Sequence, residues 1–117
     1  MSNQIYWLLE VAIKPEKLDA IRSVALDLIA KTESEPGTLA YQWNLSEDET
    51  VCHIYERYQN ADAVLTHVQS FGTFAARFME ASNPTRFHVY GPVNDAVKEA
   101  LADLQPVYFS DLGGFSR

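Results

Sequence analysis

The stretch IYWLLEVAI, from Ile5 to Ile13, restricts the fold more than any other part of the chain. As a strand it places Ile5, Trp7, Leu9, Val11 and Ile13 on one face and Tyr6, Leu8, Glu10 and Ala12 on the other. Apolar residues occupy nearly every position, so both faces are expected to be covered. That is the situation of a central strand.

The elements that surround it follow from periodicity. Pro15 stands where the first turn of a helix tolerates proline. Leu18, Ile21, Ala25, Leu28 and Ile29 then recur at three- and four-residue spacing, predicting an amphipathic helix to about Thr32. SEPG ends that helix, because Pro36 bars continuation and Gly37 frees the backbone. TLAYQWNL (Thr38–Leu45) alternates as a second strand, SEDET is turn material, and VCHIYERY (Val51–Tyr58) is a third strand in hairpin with the second. Asn60 is placed to cap a second helix. On that helix Val64, Val68, Phe71 and Ala75 form one stripe, and His67, Phe71, Phe74 and Phe78 form another. Gly72 predicts a break into two half-helices. Asn83–Thr85 should end the second half, with RFHVYGPV (Arg86–Val93) as a fourth strand. Asn94 then caps a short helix to about Leu104, PVYFSDL (Pro106–Leu112) reads as a fifth strand, and the tail GGFSR as loose.

The order β-α-β-β-α-β is the split βαβ, ferredoxin-like α+β plan, one antiparallel sheet with both helices on one face. It fits one domain over residues 1–117, with a core at about 4–93 and an α-β extension at about 94–112. The helices leave one sheet face bare although the first strand is apolar there too. A homodimer, sheet face against sheet face, is the simplest cover.

Composition excludes several classes of function. Nine basic against sixteen acidic residues leave a net charge of −7, and the basic residues are scattered singly, so no nucleic-acid partner is expected. Cys52 is the only cysteine, which rules out an intramolecular disulfide and a thiolate metal cluster. MSNQIYWLLEVAIK has no basic leader and Glu10 interrupts its apolar run, so neither a signal peptide nor a membrane span is expected, and the cytoplasm is the natural compartment. No phosphate-binding glycine loop or Gly-x-Ser-x-Gly element occurs.

Three short motifs, EPGTLAYQW, IYERY and AVLTH, resemble the pattern of the antibiotic-biosynthesis monooxygenase (ABM) family, over roughly Ile5 to Val93. In that pattern a Glu-(Pro)-Gly turn opens the second strand, a Glu-x-aromatic ends the third, and a histidine lies in the next helix. The resemblance implies a dimer of ferredoxin-like protomers whose sheets form a shared barrel, with ligands between sheet and helices. It also implies mixed chemistry. One branch oxygenates phenols or quinols without metal or flavin, one degrades heme, and one isomerises a phosphorylated autoinducer-2 product. The heme branch expects an Asn, a Trp and an iron-ligating His where this chain has Leu9, His67 and Arg77, which disfavours heme. The isomerase branch shares a very similar IYE-x-Y strand and the helix histidine.

Each candidate residue has two readings. His67 is either a half-buried histidine satisfied by a neighbouring carbonyl or a cavity-lining acid/base beside Phe71 and Phe74. Imidazole can take a proton from a phenol or an α-carbonyl carbon near neutral pH. A cavity-lining histidine could be removed at little cost in stability. Glu56, between Ile54 and Tyr58 on its strand phase, must be paired or face a polar cavity. It is either the partner of an arginine or a catalytic carboxylate. Arg77 is a solvated helix residue or an anchor for an anionic group. Trp7 fills the core or stacks on a flat ring. His53 and His88 fall on strands separated by the first strand, and without further ligands they make no zinc site.

The reading is a cofactor-free, metal-free monooxygenase-like enzyme acting on a small aromatic, phenolic or quinol substrate. His67 and Glu56 are its catalytic residues, and Trp7, Phe71, Phe74 and Arg77 bind substrate. A hydroxy-ketone isomerase and a non-enzymatic ligand-binding dimer are the alternatives.

Overall fold

Residues 2–117 are described by a computed structural model. The first strand, β1 (Ile5–Ile13), is central, antiparallel to both β3 (Val51–Tyr58) and β4 (Ser82–Tyr90). β2 (Thr38–Leu45) pairs with β3 at one edge, and β5 (Val107–Phe109) runs parallel to β4 at the other, giving the order β2-β3-β1-β4-β5. The helices are α1 (Leu18–Glu33), α2 (Ala61–Phe71), α3 (Ala75–Ala81) and α4 (Asp95–Leu101). This is the ferredoxin-like α+β plan with an α-β extension, and the sheet of the single chain stays open rather than closing into a barrel.

Ile5, Trp7, Leu9 and Val11 of β1 are buried with Cys52, Ile54, Phe87 and Val89 against Ile21, Val24 and Leu28 of α1, Val64 of α2 and Phe78 of α3. Tyr6, Leu8, Glu10 and Ala12, on the opposite face, are only half-buried. The helices therefore cover one of the two apolar faces of β1.

Local chemistry sets the element ends. α1 starts at Leu18, later than the expectation that put Pro15 in its first turn. Glu16 takes a positive φ of 64°, so the backbone cannot be helical until after it. At its other end, the turn Glu35–Gly37 packs on α2 so closely that a Cβ on Gly37 would lie 2.6 Å from that of Ala63. The Asn60 carboxamide oxygen accepts from Ala63 N at 2.9 Å, capping α2 as expected, and the predicted break falls at Gly72.

β4 begins at Ser82, earlier than the expected Arg86. The Asn-Pro pair reads as a stop in sequence, but Pro84 sits where the β1–β4 register shifts between Glu10 and Val11, a bulge that tolerates a missing donor. Asn94 caps α4 through Val97 N at 2.9 Å. β5 is shorter than the seven-residue stretch PVYFSDL that suggested it. No helix among the described residues is long and apolar enough to cross a membrane.

Candidate active site

Where α1, α2 and the sheet meet, three ionisable side chains converge away from solvent. His67 lies on the inward stripe of α2 with Val64 and is 3% exposed, while Glu35 is 8% and Glu56 5% exposed. His67 Nδ1 is 3.1 Å from Glu35 Oε1, and Nε2 is 3.3 Å from Glu56 Oε1. Each carboxylate is itself held. Thr38 Oγ1 donates to Glu35 Oε1 at 3.0 Å, and the Tyr58 hydroxyl donates to Glu56 Oε1.

Strand register explains the arrangement. Tyr41, Glu56 and Trp7 are cross-strand neighbours on β2, β3 and β1, so all three side chains point toward the helices. Aromatic rings wall the cluster. Tyr41 lies 5.2 Å from the His67 ring, Tyr58 5.4 Å and Phe71 6.3 Å, centroid to centroid. Trp7 leans on Tyr58 at 4.9 Å and meets Phe87 edge-on at 5.4 Å.

The electrostatics follow from these contacts. Burial pushes the His67 pKa down, but the hydrogen bond and charge of Glu56, joined by the charge and hydrogen bond of Glu35, override it and hold it above the usual histidine value. An imidazole with a carboxylate at each nitrogen satisfies both only when both nitrogens carry protons. The Tyr58 phenol is pushed far up by burial and then by Glu56, and Tyr41 likewise, so both remain hydrogen-bond donors at neutral pH. Among the described residues, Trp7 Nε1 and Glu35 Oε2 are buried in this region without a hydrogen-bond partner, and the side chains of Thr32 and Trp43 have the Tyr41 hydroxyl as their nearest polar neighbour. Among the described residues no group of His, Cys, Asp and Glu is arranged to hold a metal ion.

Of the residues singled out in the sequence, His67 and Glu56 come together, Trp7 is adjacent to Glu56, and Phe71 packs on His67. Phe74 is half-buried at the start of α3, against the core. Arg77 points elsewhere. Its guanidinium bonds Asp27 Oδ2 at 2.9 Å and Ser23 Oγ at 3.4 Å in a shallow outer cleft between α1 and α3. Glu56 pairs with a histidine and a tyrosine rather than the arginine expected of a structural carboxylate. Arg57, its neighbour in sequence, lies on the open face over Tyr6 and bonds Gln4 and Tyr55.

Glu35 and Tyr58 are the members that sequence reasoning did not single out. Glu35 was legible only as part of a helix stop, yet it is the leading residue of the EPG motif. His53 and His88 do flank β1, where His53 pairs with Glu10 at 2.9 Å and His88 packs on Phe109.

Comparison with known proteins agrees with this architecture. The family model of the antibiotic biosynthesis monooxygenases matches residues 5–81. Among solved structures, MupZ from Pseudomonas fluorescens is similar over 100% of this chain and 91% of its own, at 26% identity and a TM-score of 0.90. A Caulobacter crescentus protein provisionally assigned as an antibiotic biosynthesis monooxygenase is 27% identical, over 80% of this chain and 92% of its own, with a TM-score of 0.70. SnoaB, a cofactor-independent oxygenase from Streptomyces nogalater, shares the fold at 12% identity, over 78% of this chain and 94% of its own, with a TM-score of 0.68. The likeness to MupZ thus extends through α4 and β5, which lie beyond the family match. No curated protein matches significantly. With a family match over most of the chain and the fold to go with it, this protein belongs to the antibiotic biosynthesis monooxygenase family.

Proposed function

We propose that this protein is a cofactor-free, monooxygenase-like enzyme for a small phenolic or quinol substrate, working as a homodimer, with His67 and Glu56 as its acid/base centre. The observation that carries the reading is the carboxylate–imidazole–carboxylate array, buried, hydrogen-bonded to the Tyr58 phenol and flanked by the ring of Tyr41. Burying such groups costs stability unless they are mutually paired, and strongly perturbed ionisable groups collect where protons are moved. In this reading the Glu56 carboxylate accepts the phenolic proton, and the imidazolium of His67, already protonated at both nitrogens, donates to the oxygen on which charge develops. The electron-rich anion then attacks dioxygen through carbon to give a hydroperoxide, and loss of the hydrogen on that carbon with cleavage of the O–O bond releases water and leaves a quinone carbonyl, so that the substrate supplies all four electrons. Trp7 and Phe71 form walls, and Phe74 sits at the α2–α3 break where a ligand would enter. Arg77, engaged with Asp27, is left as a contact outside this centre.

The same array favours a second reading. Carboxylates at both imidazole nitrogens suit a proton taken from one carbon of a hydroxy-ketone and returned to its neighbour, which is isomerisation without oxygen. Oxygen uptake separates the two.

The test is turnover of a dihydroxynaphthalene, followed by oxygen consumption and normalised to folded protein. His67→Gln should reduce it by about 10²–10⁴-fold. Glu56→Gln, which keeps the shape and the Tyr58 contact, should do the same if the glutamine variant of His67 folds poorly. Wild-type rates in both variants would remove the proposal.

A further inference from the structure

The two carboxylates of the array differ in what they can reach. Glu56 lies on β3 in one cross-strand row with Tyr41 and Trp7, the residues that wall the centre. Glu35 comes from the α1–β2 turn and meets the imidazole at its other nitrogen. Its Oε1 is engaged by His67 Nδ1 at 3.1 Å and by the Thr38 hydroxyl at 3.0 Å, and its Oε2 is shut away from solvent. Glu35 therefore acts through His67.

The turn that carries Glu35 is tied on three sides. Glu35 N donates to Thr32 O at 2.9 Å at the end of α1, and Gln59 N, just past β3, donates to Gly37 O at 2.9 Å. Gly37 in turn packs on Ala63 of α2. Thr38 N donates to Glu35 O at 3.2 Å, which keeps the Thr38 side chain beside the carboxylate that its hydroxyl serves. Glu35 is a fixed counter-charge.

Two carboxylates exceed what one imidazolium neutralises. The charges that act on the ring are those of Glu56 from β3 and Glu35 from the turn. The other ionisable groups against it are the Tyr58 phenol of β3 and the Tyr41 phenol of β2, and no arginine or lysine is buried among the described residues. One carboxylate would hold a structural histidine without an excess of buried negative charge, which is costly. The second has a use once Glu56 takes up a proton. Glu56 then holds the imidazolium no longer, and Glu35 is the charge left to keep it protonated while Nε2–H turns to the substrate oxygen.

We infer that Glu35 and Thr38 are positioning residues of this centre: Glu35 clamps His67 at Nδ1 and supplies its lasting counter-charge, and the Thr38 hydroxyl, sharing Oε1, weakens that clamp. The inference deepens the acid/base reading and rests on it.

Nitrogen-15 titration of His67 reads the clamp without any substrate. Thr38→Val removes the shared donor, so the imidazolium is held more tightly and its midpoint should rise by roughly half to one pH unit, the worth of one hydrogen bond. Thr38→Ser keeps the hydroxyl and should titrate as wild type. Glu35→Gln should move the midpoint the other way. In oxygen uptake with the dihydroxynaphthalene, the alkaline limb of the kcat profile should follow, upward in Thr38→Val and downward in Glu35→Gln. Glu35→Gln should also lower kcat at neutral pH by about tenfold to hundredfold, the loss of one hydrogen bond to a charged group, with KM little changed. A midpoint that falls or stays put in folded Thr38→Val overturns the inference, as does a Glu35→Gln loss that appears in KM. Midpoints that move as expected, beside turnover indifferent to His67, would remove the acid/base reading and leave the clamp standing.

Discussion

At the scale of the residue, His67 was legible as a chemical candidate from its place on the aromatic stripe of α2, and Glu56 from its awkward phase between Ile54 and Tyr58. What the sequence could not show is that a second carboxylate, Glu35, closes the far side of the ring across a separation of 32 residues. That contact also changes one expectation. A histidine lining a cavity would be dispensable for stability, whereas one paired to two buried carboxylates is not. His67→Gln should destabilise the fold by on the order of 3–5 kcal/mol at pH 6, the usual cost of leaving buried charges unpaired. The sign of the pH dependence follows from the raised folded-state pKa. The imidazolium contribution is fully present below the unfolded value near 6.5 and is lost as pH rises through the folded one. Denaturant titrations of wild type and variant should therefore converge from pH 6 to pH 9. Parallel stability curves would show that folding leaves the His67 pKa at its unfolded value, against the raised one.

At the scale of the element, the helices and strands were readable where period and caps agree: Asn60, Asn94, the Gly72 break and the β2–β3 hairpin all stand as the residues indicate. The misplaced ends share a cause. Pro15 and Pro84 were read by local preference, but Glu16 adopts a left-handed backbone in one case and a register shift absorbs the proline in the other. Tertiary context decided both. The turn Glu35–Gly37 is the element that delivers Glu35 to His67, and it depends on Gly37 clearing Ala63. Gly37→Ala should cost about 1–3 kcal/mol through overpacking. Adding Ala63→Gly should recover part of that loss, although glycine in a helix is unfavourable by about 1 kcal/mol. A double variant no better than the sum of its parts would show that the close approach does not govern this turn.

At the scale of the molecule, the face of the sheet away from the helices carries a continuous row. Arg57 lies 4.4 Å over Tyr6, which stacks on Tyr90 at 4.9 Å, and Tyr90 stacks on Phe109 at 5.0 Å. The apolar second face of β1 made self-association an expectation before any fold was known, and the open sheet keeps it a proposal with a defined surface. Sedimentation at micromolar concentration should give about twice the 13.2 kDa protomer mass. Leu8→Glu, in the middle of that face, should yield a folded monomer. A wild-type monomer with an intact fold would end the shared-barrel proposal without touching the buried array.

The claim on which the account turns is that His67 is held charged between Glu35 and Glu56 and is therefore poised to exchange protons with a ligand. Titration of its imidazole nitrogens by nitrogen-15 NMR tests this most directly. The account predicts a midpoint above the ordinary 6.5, both nitrogens protonated below it, and a downward displacement of that midpoint in Glu56→Gln and in Glu35→Gln. A His67 that stays neutral in one tautomer down to pH 5, with no response to either glutamine variant, would contradict it.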